Sequence, residues 1–165
     1  MKPNILICPI KRLYQRLREC STEGIAAVIS TSGDAPDPER LHGIPYIYTI
    51  YRDIDYDRPG AFTDEDAAQF AAFIRNLGPE NDTLYCCCDA AQSRSPAVAA
   101  AASRYYGIDM MDSIWRNPHY KPNMLVFEKL SRALGVPVTD EELDMLQYES
   151  RQAFRIAIAQ ARKHT

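Results

Sequence analysis

"TLYCCCDAAQSRSPAVAAAASRYYG" (residues 83–107) places a short apolar run, a polar loop and an alanine-rich segment in immediate succession. The run reads as a buried strand, and Ser95-Pro96 opens a helix with proline in its tolerated first turn. Gly107 closes that helix, since glycine accepts the left-handed conformation in which helices end. A strand passing through a tight loop into a helix is the repeating unit of a parallel α/β sheet.

The flanking sequence repeats the pattern. "NILICPI" (4–10) predicts a strand, followed by a basic helix with Leu13, Leu17 and Cys20 on one side. "GIAAVIS" (24–30) predicts a buried strand ending in the loop "TSGDAPDP", and "PYIYTIYR" (45–52) another strand. Thr63 reads as the N-cap of a helix whose first turn, Asp64, Glu65 and Asp66, suits the positive end of the helix dipole. Phe70, Phe73, Ile74 and Leu77 supply its apolar stripe, and Gly78-Pro79 its stop. "KPNMLVFEKLSRALG" (121–135) predicts a further helix. Thr139 and Glu142 form a capping box for a long final one. There Leu143, Leu146, Ala153, Phe154, Ala157, Ile158 and Ala161 recur at helical spacing, which predicts a helix packed along the core. Without repeats or linkers, the 165 residues predict a single α/β domain: a central, mainly parallel sheet of four to five strands flanked by helices.

Composition narrows the function classes. A net charge of -3 gives no global reason to bind nucleic acid or an anionic membrane. The N-terminal apolar run is too short for a signal-peptide core, and no later run approaches a membrane span. Five cysteines, three of them consecutive, make no disulfide framework, so a reduced, cytoplasmic protein is expected.

Cys86, Cys87 and Cys88 cannot converge on one metal ion, because successive strand side chains point to opposite faces. His42, His119 and His164 show no ligand spacing with them, so neither metal nor cofactor is expected. Cys88 stands instead at a strand end, followed by Asp89, Ala90, Ala91, Gln92 and Ser93, then Arg94 and Ser95. Between a strand and a helix N-terminus, this spacing builds a phosphate cradle with a nucleophile at its base. Loop amides face the oxyanion, Arg94 offers a bidentate fork, and the same positive field favours the thiolate of Cys88. Ser95 is placed to hydrogen-bond the sulfur. Cys86 and Cys87 read as strand residues, with cysteine acting as a small apolar side chain.

"CDAAQSRS" (88–95) resembles the C-x5-R-S/T loop of the cysteine-dependent protein tyrosine phosphatases, in their compact dual-specificity-like form. "YRDID" (51–55) and "NPHYKPNMLVFEKLSRALG" (117–135) also resemble segments of small bacterial members. The resemblance implies the phosphatase fold and a metal-free reaction through a cysteinyl-phosphate. Its catalytic residues would be Cys88, Arg94, Ser95 and an upstream aspartate as general acid. Asp53, directly at a strand end and followed by Ile, is the preferred acid; Asp57 and Asp55 are the alternatives.

The implied substrate is phosphotyrosine, with phosphoserine and phosphothreonine beside it. Alternatives are an impaired phosphate-binding relative or a phosphatase for a non-protein phosphoester. Partners would be a phosphorylated protein or small phosphoester, with inorganic phosphate or sulfate able to occupy the loop. The loop carries no Lys or Arg before Arg94, which disfavours polyphosphorylated lipid or RNA substrates.

Two positions depart from the family pattern: Cys87 replaces a histidine and Ala91 a glycine. If Ala91 needs a positive φ, the expected strain is about 1 kcal/mol. A neighbouring thiol could capture oxidised Cys88; adjacency would strain a link to Cys87, so Cys8 or Cys86 is expected in that role. Arg52 and Arg58 are candidates for the approach to the loop, Gln92 for positioning water, and Ser30 and Thr31 for buttressing the loop. Trp115 is expected as a core anchor and Asn123 as an N-cap, with Asn117, His119 and Tyr120 near the rim.

Overall fold

Four of the apolar runs meet in one sheet. The computed structural model describes residues 2–77 and 82–163, and within them β1 (Asn4–Pro9), β2 (Ile25–Ser30), β3 (Tyr46–Tyr48) and β4 (Thr83–Cys88) lie in the order β1-β4-β2-β3. Every pairing is parallel. Parallel strands need crossovers: α1 (Ile10–Glu19) joins β1 to β2 and α2 (Asp64–Arg75) joins β3 to β4, while α3 (Arg94–Tyr106), α4 (Met124–Ala133) and α5 (Asp140–Ala161) follow β4. The expected α/β architecture is present, with four strands.

Alternation along β4 divides the core. Leu84 and Cys86 join Ile29, Phe70, Ile74, Val98 and Leu130 on the side of α2, α3 and α4. Tyr85 and Cys87 join Leu13, Leu17, Val28 and Leu41 on the side of α1. Ser95 to Ser103 of α3 are all buried, which their small side chains allow without overpacking.

The local signals formed as read at several ends. Thr63 and Asp66 make a reciprocal capping box at α2, and Thr139 and Glu142 make one at α5. Gly107 ends α3 at φ 64°. The expected stop at Gly78-Pro79 lies outside the described residues; α2 itself ends at Arg75 with Asn76 as its C-cap.

Two expectations need correction. β3 spans only Tyr46–Tyr48, not 45–52. Beyond it Thr49 Oγ1 donates to Asp66 Oδ1 (2.8 Å), and the Arg52 amide donates to the Gly60 carbonyl (2.7 Å) rather than to a strand. The chain thus leaves the sheet edge and forms the aspartate-bearing loop. α5 likewise does not pack along its length: only Leu146 is buried, while Phe154 is 57% and Ile158 38% exposed. Its apolar spacing continues past the point where the domain has surface to offer it. Among the described residues, no helix is long and apolar enough to cross a membrane.

Candidate active site

β4 delivers Cys88 to the carboxyl edge of the sheet, where ligands of open α/β folds gather. Cys88 is 2% exposed. Its Sγ accepts a hydrogen bond from the Ala91 amide (3.1 Å) and lies 3.0 Å from Ser95 Oγ. The loop closes on itself this tightly because Ala91 adopts φ 54°, in the left-handed region. The expected cost of Ala at that position is therefore incurred, about 1 kcal/mol relative to glycine.

Arg94 begins α3, so it shares the loop's end with the positive pole of that helix. Its Nη1 donates to the Tyr51 carbonyl (3.4 Å) and its Nη2 to Asp89 Oδ2 (2.7 Å). The same Asp89 oxygen accepts the Gly33 amide (3.0 Å), tying the loop to the one after β2. Two of the five guanidinium N–H groups are thereby used, leaving three for an anion. Thr31 braces the other side, donating from its amide (2.8 Å) and its Oγ1 (3.2 Å) to the Cys87 carbonyl. Ser30 Oγ donates to Ser32 instead.

The three aspartates occupy different places. Asp53 Oδ1 accepts from Ser93 Oγ (2.9 Å) and from Asn123 Nδ2 (2.8 Å), so it lies directly against the loop. Asp55 lines a cavity of about 380 Å³ beside the loop, together with Asp53, Gln92, Trp115 and Lys121. Asp57 accepts from the buried Lys129 ammonium (2.5 Å), which also donates to the Phe62 carbonyl (3.2 Å).

Asn123 caps α4 by accepting from the Val126 amide (3.1 Å), while its Nδ2 holds Asp53 and the Ile54 carbonyl (3.0 Å). The backbone joins in: the Lys121 amide donates to the Gln92 carbonyl and the Asn123 amide to that of Ser93. Trp115 is buried edge-on against Phe127 (4.9 Å) and lines the cavity as well. Arg52 and Arg58 are exposed, with Arg58 donating to the Tyr56 hydroxyl. His119 is exposed and Tyr120 half-buried, with the His119 amide donating to Asn117 Oδ1.

The structure thus brings Cys88, Arg94, Ser95 and Asp53 to one loop and turns Asp57 toward α4. Sequence reading missed Asp89 as the partner of Arg94, Asn123 as the partner of Asp53, and Lys129 as that of Asp57. The last two pairs span 70 and 72 residues, so no local pattern could signal them. Burial raises the pKa of the Cys86 thiol, as expected of a strand residue inside the core.

No family model and no curated protein matches the chain. Among solved structures it is similar to PTPMT1 in complex with PI(5)P, at 14% identity, covering 93% of this chain and 94% of that one, with a TM-score of 0.48. It is also similar to Tk-PTP in its active form (14%, 92% of each chain, 0.46). A third is human DUSP28 (16%, 94% of each chain, 0.43). These are structures of the cysteine-dependent phosphatase superfamily. Similarity at this level shows the fold alone.

Proposed function

We propose that this protein is a cysteine-dependent phosphatase acting on phosphotyrosine, and on phosphoserine and phosphothreonine as far as pocket depth admits them. The carrying observation is the Cys88 sulfur, fixed between the Ala91 amide and Ser95 Oγ at the base of a loop that ends in Arg94. Both contacts hold the sulfur in place, facing the end of the loop where Arg94 stands.

In the first step Cys88 attacks phosphorus; the S–P bond forms as the bond to the leaving oxygen breaks, and Asp53 gives that oxygen a proton. The Asp53 carboxylate then takes a proton from water, which attacks phosphorus and breaks the S–P bond. Ser95 hydrogen-bonds the departing sulfur, and the free N–H groups of Arg94 bind the phosphoryl oxygens throughout. The adjoining cavity, with Trp115 and Met124 in its wall, has room for an aromatic ring.

A second reading, a phosphate binder without turnover, draws on Asp89, whose carboxylate already occupies one end of Arg94. Hydrolysis of p-nitrophenyl phosphate separates the two. Wild type is expected to turn over, Cys88→Ser to be inactive, and Asp53→Asn to lose about 10²–10⁴-fold in kcat. Folded wild-type protein that binds phosphate but never turns over selects the second reading. Full activity in Cys88→Ser removes the mechanism, and a larger loss in Asp57→Asn than in Asp53→Asn reassigns the acid.

A further inference from the structure

The middle cysteine of the triplet faces another thiol, on the side of the sheet that packs against α1. Cys87 pairs in register with Cys8 across β1 and β4, and their sulfurs lie 3.7 Å apart. Cys86 packs on the opposite side of the sheet, and Cys88 is engaged by Ser95 and Ala91. Cys8, expected to serve Cys88, therefore faces Cys87 instead. We propose that Cys8 and Cys87 are a redox-active thiol pair, closed into a disulfide by a hydroperoxide, and that closure weakens anion binding at the neighbouring loop.

Backbone geometry permits the bond. Neighbouring strands lie roughly 4.8 Å apart, within the Cα separation of about 4.4–6.8 Å that disulfides tolerate. Access is one-sided. Cys87 is fully buried, whereas Cys8 is half-buried on the edge strand β1 and opens into a cavity of about 420 Å³. Arg12 and Arg16 line that cavity with Leu6, Leu13 and Tyr85. The hydrogen bond between the two sulfurs, with the Arg12 and Arg16 charges, holds the Cys8 thiol below its ordinary pKa. The same hydrogen bond and burial hold the Cys87 thiol above its own. Either sulfur can donate that bond, and the half-buried Cys8, beside Arg12 and Arg16, is the one placed to react as the thiolate. An accessible thiolate beside a protonated resolving thiol is the arrangement that peroxide-sensing cysteines require.

The chemistry balances within the pair and its oxidant. The Cys8 thiolate attacks the hydroperoxide; the O–O bond breaks, the alkoxide or hydroxide takes a proton from water, and Cys8 becomes a sulfenic acid. The Cys87 sulfur then attacks the Cys8 sulfur; hydroxide leaves with the Cys87 proton as water, and the S–S bond forms. Two electrons pass from the pair to the peroxide.

Drawing the sulfurs from 3.7 Å to the roughly 2.0 Å of an S–S bond pulls on Cys87, whose carbonyl carries both Thr31 hydrogen bonds one residue before Cys88. This consequence for the loop rests on the phosphatase reading; the disulfide does not.

The full chain carrying Cys88→Ser is treated with hydrogen peroxide, alkylated with N-ethylmaleimide and mapped by mass spectrometry. A peptide joining Cys8 to Cys87, absent in Cys8→Ser/Cys88→Ser and reversed by dithiothreitol, is expected. Recovery of Cys8 and Cys87 separately alkylated, or of Cys8 joined to Cys86, overturns the pair. Phosphate affinity of the Cys88→Ser protein, measured by calorimetry, is expected to fall several-fold on oxidation. Unchanged affinity overturns the switch. If the reduced protein binds no phosphate, the phosphatase reading and the switch both fall, while the peptide map still decides the disulfide.

Discussion

Ala91 sits at φ 54° with its amide on the Cys88 sulfur, so the loop depends on a residue that disfavours its own backbone conformation. Ala91→Gly removes the left-handed penalty but adds unfolded-state entropy, and the methyl it deletes is small. A net gain of about 0.5 kcal/mol is expected, read as a raised thermal midpoint with activity retained. Ala91→Val, β-branched at the same φ, is expected to lose phosphate binding while the far-ultraviolet spectrum stays native. Ser95→Ala tests the sulfur's other partner: a hydrogen bond to a charged group contributes about 1.5–3 kcal/mol. The phosphocysteine should therefore accumulate, seen as a burst of p-nitrophenol followed by slow turnover. Asp89→Asn keeps a side chain that can accept from Arg94 and Gly33 but removes a negative charge from beside Arg94. Phosphate should inhibit it several-fold more tightly, with the difference shrinking at high salt.

At the scale of elements, the cap of α4 and the aspartate loop are one device, because Asn123 serves both. Asn123→Asp keeps an acceptor for the Val126 amide but loses the donors to Asp53 and Ile54, so kcat should drop while thermal stability changes little. Asn123→Ala should lower kcat and also cost about 1 kcal/mol of stability for the lost cap. Had Asn123 acted only as a cap, Asn123→Asp would keep full kcat. The cap itself was legible in the sequence, as were the strand, loop and helix that carry Cys88, Arg94 and Ser95. Those are local: a helix N-terminus and a strand end are written into residues a few positions apart. The second duty of Asn123 was not legible, nor was the Arg94–Asp89 pair, although both partners lie in the quoted stretch. Which carboxylate meets which donor depends on how α4 and the loop after β2 approach the cradle. β3 fails for a related reason: its β-branched and aromatic residues run on to Arg52, but the sheet edge gives Ile50 no partner and leaves it 56% exposed.

For the whole molecule, α5 is lightly secured: Leu146 is buried, Leu143 packs half-buried against the core, and two ion pairs clamp the helix. Arg104 donates to both Glu142 oxygens (3.2 and 3.1 Å) and Arg116 to both Glu149 oxygens (2.9 and 3.4 Å). The Thr139 amide and then Arg104 lower the Glu142 pKa below its ordinary 4.5, and Arg116 does the same for Glu149. A carboxyl whose folded pKa is depressed stabilises the folded state above its unfolded value. That contribution is lost as pH falls through the folded value. Neutral pH therefore keeps both clamps, and acidification below about 4.5 releases them. Elements with few buried apolar contacts open first. Hydrogen exchange should accordingly show the α5 amides losing protection as pH drops through that range, ahead of those in β4 and α3. In Glu142→Gln/Glu149→Gln the α5 amides should already exchange faster at neutral pH and show little further acid dependence once corrected for intrinsic rates. If α5 instead keeps its protection until the sheet unfolds, the helix is secured along its length by contacts other than the two clamps, and its exposed Phe154 and Ile158 do not mark a weakly held end.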